Sequence, residues 1–342
     1  MLIPFIIPFL VAMFLSINMG ASGTAPAFSA AYGSKIIKES LIPGLFGLAV
    51  FAGAIIGGKE TAKTIGSGLL SPELMSFSVV SVILFSVAIS LLLANIMGIP
   101  QSTSQSTVTA VVAPAIYFNS FDSHKLFYEI LPTWFIMPVL SFILAYCIGK
   151  YIYKPLRRRG YTISSKLNQS PYIKALVLIM SMYVAFSIGT NNVANAVGPI
   201  TTMAFNELNI ASGNFVQVMI LGTLIVAPCF GIGSSIMGNK VLRNTGKEIV
   251  MFGRIEAAII AFLSASLLLV ASLIKGIPTS LVQLNVAAII GIGIAKLGHR
   301  NILRKTEVKR FFIMWMISPC ISFVLSLSLI YIFDYYQIFK IY

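Results

Sequence analysis

Charge is what this chain has least of. Of its 342 residues only 10% are charged, with 10 acidic residues, 2 histidines, 2 tryptophans and 3 cysteines. A soluble domain carries about one quarter charged residues, so a chain that is 57% hydrophobic is not built to face water. The two histidines, His124 and His299, fall in expected loops at opposite membrane faces, so neither a nucleophile–histidine pair nor a histidine metal cluster can be assembled. Cys147, Cys229 and Cys320 all lie within apolar segments and read as packing residues, with no disulfide framework. The nearest thing to a catalytic motif is Gly53, four residues, then Gly58 and Lys59. A phosphate-binding P-loop needs Ser or Thr next and a strand before it. Glu60 follows here, and an apolar segment precedes. No enzyme, cofactor or metal site is expected.

What the chain has in abundance is apolar runs of about 20 residues, the length that crosses a bilayer. Backbone facing lipid cannot go unpaired, so such runs must be helices, and non-helical backbone survives only where protein or a water-filled cavity surrounds it. Each half offers five elements: 3–31, 41–57, 74–97, 101–118 and 127–149, then 173–203, 215–237, 253–274, 278–295 and 311–332. The expected fold is an all-α polytopic membrane protein. The first stretch has no basic residues ahead of its apolar core and carries a repeated motif, so it reads as a helix and not as a cleaved signal peptide.

The chain also repeats itself. GASGTAPA at Gly20 to Ala27 answers GTNNVANA at Gly189 to Ala196, and GIPQSTSQ at Gly98 to Gln105 answers GIPTSLVQ at Gly276 to Gln283. A third pair, WxxxPxxSFxL, starts at Trp134 and at Trp315, so the offsets are 169, 178 and 181 residues. An odd number of crossings per half places the two copies upside down, the inverted-topology plan of many secondary transporters. Basic residues agree: with the N-terminus outside, 18 of the 24 Lys and Arg fall in inner loops and 5 in outer ones, with Arg254 at a helix start. Because basic loops stay cytoplasmic, both termini are expected outside a cell membrane. The net charge of +14 then needs no nucleic acid, and no aromatics interleave the basic residues to stack bases. The organisation expected is a membrane repeat at 1–149, a basic cytoplasmic linker at 150–171, and an inverted repeat at 172–342.

The repeated motifs put Gly, Pro and small polar residues inside apolar segments. Gly and Pro are poor helix-interior residues, so the segments around Gly20–Pro26 and Gly189–Pro199 are expected to break near the midplane. The GIP motifs end a segment and start another with hydroxyls and amides at its N-terminus, where unpaired N–H groups and a partial positive charge favour anions. Small residues also let membrane helices pack closely, but four clusters in two symmetric pairs point to a transport site. The candidate substrate-binding residues are Ser22, Gly23, Thr24, Ser102, Thr103, Ser104, Gln105, Thr190, Asn191, Asn192, Asn195, Thr279, Ser280 and Gln283.

At these residues the chain resembles the inorganic phosphate transporter family. GTNNVANAVGP is similar to that family's GANDVANAxG signature, the GIP segments resemble its GxPxSTTHxxxGAxxG blocks, and GNKVLRNTGKEI with Arg254 and Glu256 resembles a stretch of its second half. The departures run one way. The family's aspartate is Gly23 in one copy and Asn192 in the other, its asparagine is Pro26 in the first copy and survives as Asn195, and its histidine is Gln105 and Gln283. Hydrogen phosphate can donate its own proton to a carboxylate, whereas sulfate offers only acceptors. A site that depends on a hydrogen bond discriminates by about 10⁴ to 10⁵ against a ligand lacking it. Hydroxyls, amides and helix N-termini without fixed negative charge suit sulfate, and the GASG motif is similar to the sulfate permease branch. The resemblance therefore implies import of sulfate by alternating access. The alternative is phosphate, thiosulfate or another tetrahedral oxyanion.

Moving a dianion inward against an inside-negative potential costs about 4.6 kcal/mol per 100 mV, so ion symport is expected, with H⁺ or Na⁺ as the coupling ion. Glu60 and Glu256 are the membrane-proximal carboxylates for a proton route, although Glu60, beside Lys59 and Lys63, also reads as an interface anchor. The partners expected are the oxyanion and membrane lipid, and the reading leaves room for a homodimer.

Overall fold

The computed structural model describes residues 3–98, 101–158, 170–210, 214–238 and 253–338. Pro100, half of the 150–171 linker (159–169) and all but the first residue of the GNKVLRNTGKEI motif lie outside the described residues. Among the described residues the regular secondary structure is helical, and the one β pairing is an isolated bridge between Leu70 and Phe121. Eight helices are long and apolar enough to cross a membrane, and Leu281–Leu297 is a shorter apolar helix.

In the first half, α1 (Ile3–Gly33) runs the full depth of the molecule, about 46 Å at 1.5 Å per residue. Helices α2 (Ile42–Gly57) and α3 (Lys59–Ser67) return. Helices α4 (Phe77–Met97) and α5 (Thr103–Tyr117) follow, then α6 (Leu131–Cys147) within the span Lys125–Leu156. The second half repeats this order. It runs through α7 (Pro171–Ile188), a π-helical turn Gly189–Val193 and α8 (Ala194–Leu208). Helices α9 (Phe215–Val226) and α10 (Pro228–Gly233) come next, then α11 (Arg254–Leu269), α12 (Leu281–Leu297) and α13 (His299–Leu303). The last is α14 (Thr306–Tyr335).

Two of the five elements in each half form a hairpin, and the two hairpins enter from opposite ends. The outer ends of α4 and α5 lie together, because Ser71 N–H donates to Ser120 Oγ at 3.1 Å beside the Leu70–Phe121 bridge. Phe77 packs edge-on against Phe5 at the start of α1. The α11–α12 ends are joined by Lys296 Nζ and Glu256, 3.1 Å apart, and Arg254 donates to the carbonyl of Ser34 just past the end of α1. Each hairpin turns through a left-handed glycine, Gly98 at φ 69° and Gly276 at φ 61°, a conformation that glycine alone adopts without strain.

The halves interlock by a reciprocal set of backbone contacts. A Cβ on Gly20 of α1 would overlap the Phe230 carbonyl oxygen of α10, and a Cβ on Gly233 would overlap that of Ile17. The same clash faces Gly189 against Val50 of α2, and Gly53 against Phe186 of α7. Adding 169 to 17 and 20 gives 186 and 189, and adding 180 to 50 and 53 gives 230 and 233. The seam therefore maps onto itself under nearly the offsets of the repeated motifs.

The expected break in the first segment is absent: α1 is continuous through Gly20–Pro26. Its polar side chains are absorbed by the helix itself, since Thr24 Oγ1 donates to the Gly20 carbonyl at 2.7 Å and Ser22 Oγ to that of Met19 at 3.1 Å. Such back-bonding needs no gap in the helix. The second copy is not interrupted either, but it widens into the π turn at Gly189–Val193, a distortion frequent at functional sites. True interruptions occur in the hairpins, where backbone around Ser102 and over 275–280 is non-helical.

Candidate functional site

The hairpin tips meet in the interior. Ser102 and Ser280 have extended backbone and cap α5 and α12, their hydroxyl oxygens accepting from the N–H of Gln105 at 3.3 Å and of Gln283 at 3.2 Å. Each cap satisfies one orphan donor of the helix end, and the N–H groups of Ser106 and Leu284 are taken by the Ser102 and Ser280 carbonyls. The first-turn amides of Thr103 and Ser104, and of Leu281 and Val282, stand at the converging ends of the two helices. Two positive dipole ends thus face one point.

Between them lies a cavity of about 20 Å³, lined by Ser22, Gly23, Pro26, Gln101, Ser102, Thr103, Ser104, Ile188, Asn192, Thr279, Ser280, Leu281 and Val282. No charged side chain is among them. The volume holds about one water, so the tips must part to admit a tetrahedral oxyanion. Of the expected site residues, Ser22, Gly23, Ser102, Thr103, Ser104, Asn192, Thr279 and Ser280 are on this lining.

The others stand behind it. Asn191, wholly buried, donates to Ser104 Oγ at 2.9 Å and to the Thr279 carbonyl at 2.9 Å, while its Oδ1 accepts from Thr279 N–H at 3.1 Å and Ser272 Oγ at 3.2 Å. It ties the π turn to both tips. Asn195 Nδ2 donates to Ser104 Oγ at 3.3 Å, and its Oδ1 is buried with no partner. Thr190 and Thr24 spend their hydroxyls on carbonyls of their own helices. Gln105 and Gln283 bond each other, Gln105 Nε2 to Gln283 Oε1 at 3.2 Å and Gln283 Nε2 to Gln105 Oε1 at 2.9 Å. The pair bridges the two hairpins.

Glu60 and Glu256 are off the lining. Glu60 is half exposed between Lys59 at 3.8 Å and Lys63 at 3.9 Å. Glu256 pairs with Lys296 and accepts from the Gly253 N–H at 2.9 Å, closing the start of α11. Gln101 was not anticipated. It lies inside the repeated GIPQSTSQ motif, lines the cavity and donates to Ser90 Oγ at 3.4 Å. Its second-copy counterpart is Thr279, so the repeat itself was the signal.

The description "Phosphate transporter family" matches residues 19–326 of the chain. The chain belongs to that family. Among curated relatives, the sulfate permease CysP of Bacillus subtilis is 36% identical over 337 residues, covering 96% of this chain and 89% of that protein. A putative phosphate permease of Thermococcus kodakarensis is 25% identical, covering 90% of this chain and 92% of its own. Among solved structures, a sodium-dependent phosphate transporter superposes with a TM-score of 0.82 at 19% identity, covering 97% of this chain and 99% of the other. This family member is thus a multi-pass membrane transporter of the anion class, and its relatives are permeases, not enzymes.

Proposed function

We propose that this chain is a sulfate permease, a secondary transporter that imports sulfate across the cell membrane by alternating access with ion symport. The observation that carries the reading is the cavity lining of hydroxyls, one asparagine, one glutamine and two helix N-termini, with no carboxylate or histidine. Sulfate presents acceptors only, which the lining hydroxyls, amides and helix N-termini can meet as donors, and no buried carboxylate is left to repel it. The name of the 36% identical relative supports the same substrate.

In this reading residues 1–149 and 172–342 are inverted repeats joined by a cytoplasmic linker at 150–171, with both termini outside. The hairpin tips are the moving parts on either side of one central site, as alternating access around a midplane site requires. The coupling ion is H⁺ or Na⁺, with Glu60 and Glu256 as the positions to neutralise in testing a proton route.

The experiment is uptake of labelled sulfate by the purified chain in proteoliposomes, with pH and sodium gradients imposed separately. Saturable uptake driven by one gradient is expected, with selenate competing strongly and phosphate weakly across the pH range in which phosphate gains its second charge. Phosphate inhibition equal to or stronger than that of sulfate over that range makes the runner-up, a phosphate transporter with a modified site, the better reading.

A further inference from the structure

A second and much larger cavity, of about 440 Å³, opens at the end of the molecule where the α11–α12 hairpin is anchored. It lies within the size range of small-ligand sites, roughly 300–1,000 Å³, and shares no lining residue with the central cavity. Three segments wall it: Gly149, Tyr153 and Lys154 beyond α6, Glu256 at the start of α11, and Ile292, Ile294, Ala295, Lys296 and Gly298 at and just past the end of α12. Two lysines, Lys154 and Lys296, and one carboxylate, Glu256, are its charged groups, so its net charge is positive after the Lys296–Glu256 pair is formed. The Tyr153 hydroxyl is buried beside it without a hydrogen-bond partner. A buried donor left unpaired is costly, and an anionic acceptor in the cavity would remove that cost.

The surroundings are those of a bilayer interface. The flanking sequence Lys150-Tyr-Ile-Tyr-Lys-Pro-Leu-Arg-Arg-Arg passes from the apolar end of the α6 span into a run of cations. Tyr151, Ile152 and Leu156 are strongly exposed large hydrophobics, and Lys150 lies over the Tyr146 and Tyr151 rings at 5.5 and 5.3 Å. Aromatic residues sit at headgroup level, and basic pockets between membrane helices on the cytoplasmic side take acidic headgroups. A free oxyanion has no use for the exposed apolar flank, whereas acyl chains lie along it.

We infer that this cavity binds the phosphate of an anionic phospholipid, held by Lys154, Lys296 and the Tyr153 hydroxyl, with its acyl chains against Ile152 and Leu156. The lipid bridges the end of α6, from the first half, to the base of the second-half hairpin.

The test is native mass spectrometry of the full chain in detergent, titrated with phosphatidylglycerol, phosphatidylcholine of the same chains, or inorganic phosphate. Wild type should retain phosphatidylglycerol over phosphatidylcholine. Lys154→Gln should weaken that retention about fivefold, the factor expected for one lysine near a lipid surface, and Tyr153→Phe should weaken it further. Lys154→Arg should restore it. Should Tyr153→Phe not fold, the exposed Lys154 variants carry the test alone. Equal retention of the two lipids, retention unchanged in Lys154→Gln, or inorganic phosphate displacing phosphatidylglycerol at equal concentration each overturns the proposal. The readout is binding and not uptake, so it stands or falls separately from the transported substrate.

Discussion

The Gln105–Gln283 pair is a direct test of whether the two hairpin tips are held to each other. Each amide donates once and accepts once across the pair, at 3.2 and 2.9 Å, and both side chains are about 95% buried. Gln105→Met keeps an unbranched side chain of similar length and removes both bonds, leaving the Gln283 oxygen and nitrogen buried and unpaired. Two net hydrogen bonds are worth about 1–3 kcal/mol, and an orphaned buried amide adds about 1–3 kcal/mol. Either single change should therefore destabilise by about 2–6 kcal/mol. The double change Gln105→Met with Gln283→Met replaces both partners by apolar groups and should cost less than the sum of the singles, with a coupling of about 1–3 kcal/mol. The assay is thermal melting of the purified protein in detergent for wild type, both singles and the double. Additive losses in the double mutant refute the argument, because two side chains that owe each other nothing do not couple.

Three further outcomes follow from the site and the seam. Asn192→Asp puts a carboxylate on the cavity lining, so sulfate uptake should fall steeply at unchanged membrane level, and unchanged uptake removes Asn192 from the site. Gly53→Ala drives a Cβ into the Phe186 carbonyl while Gly44→Ala meets nothing within 4 Å; melting should show the first destabilised by about 1–3 kcal/mol and the second neutral within about 1 kcal/mol. With Cys147, Cys229 and Cys320 replaced, Ser123→Cys in the 119–126 loop should react with an impermeant thiol reagent from outside and Ser164→Cys in the linker only from inside; labelling of both from one side overturns the topology.

The sequence disclosed much of this because its motifs are strong where backbone geometry is special. Gly98 and Gly276 marked the hairpin turns, since the left-handed turn demands glycine, and Ser102 and Ser280 marked the helix starts, since both are caps. The expectation failed at α1, where Gly20 serves close packing against Phe230 and Thr24 bonds its own helix. A glycine in a membrane segment reads the same way for packing as for a break, and only the neighbour decides. Asn191 and the two glutamines have the composition of ligands, yet they hold the tips in place, because their partners lie 87 to 178 residues away. No local pattern reports such a partner. The repeat offset of 178 did hint at the Gln105–Gln283 match, since two copies of one position can meet on a pseudo-twofold axis.

The glycine seam carries a further consequence. The close approaches at Gly20, Gly53, Gly189 and Gly233 all join one half to the other, so neither half owns a finished surface. Split between α6 and α7, each fragment would present to the bilayer a groove shaped for bare backbone, which lipid tails fill poorly. Association in a membrane draws on such close packing more than on escape from water. The chain that reads as two copies should therefore melt as a single cooperative body, with the loss of either half taking the other with it.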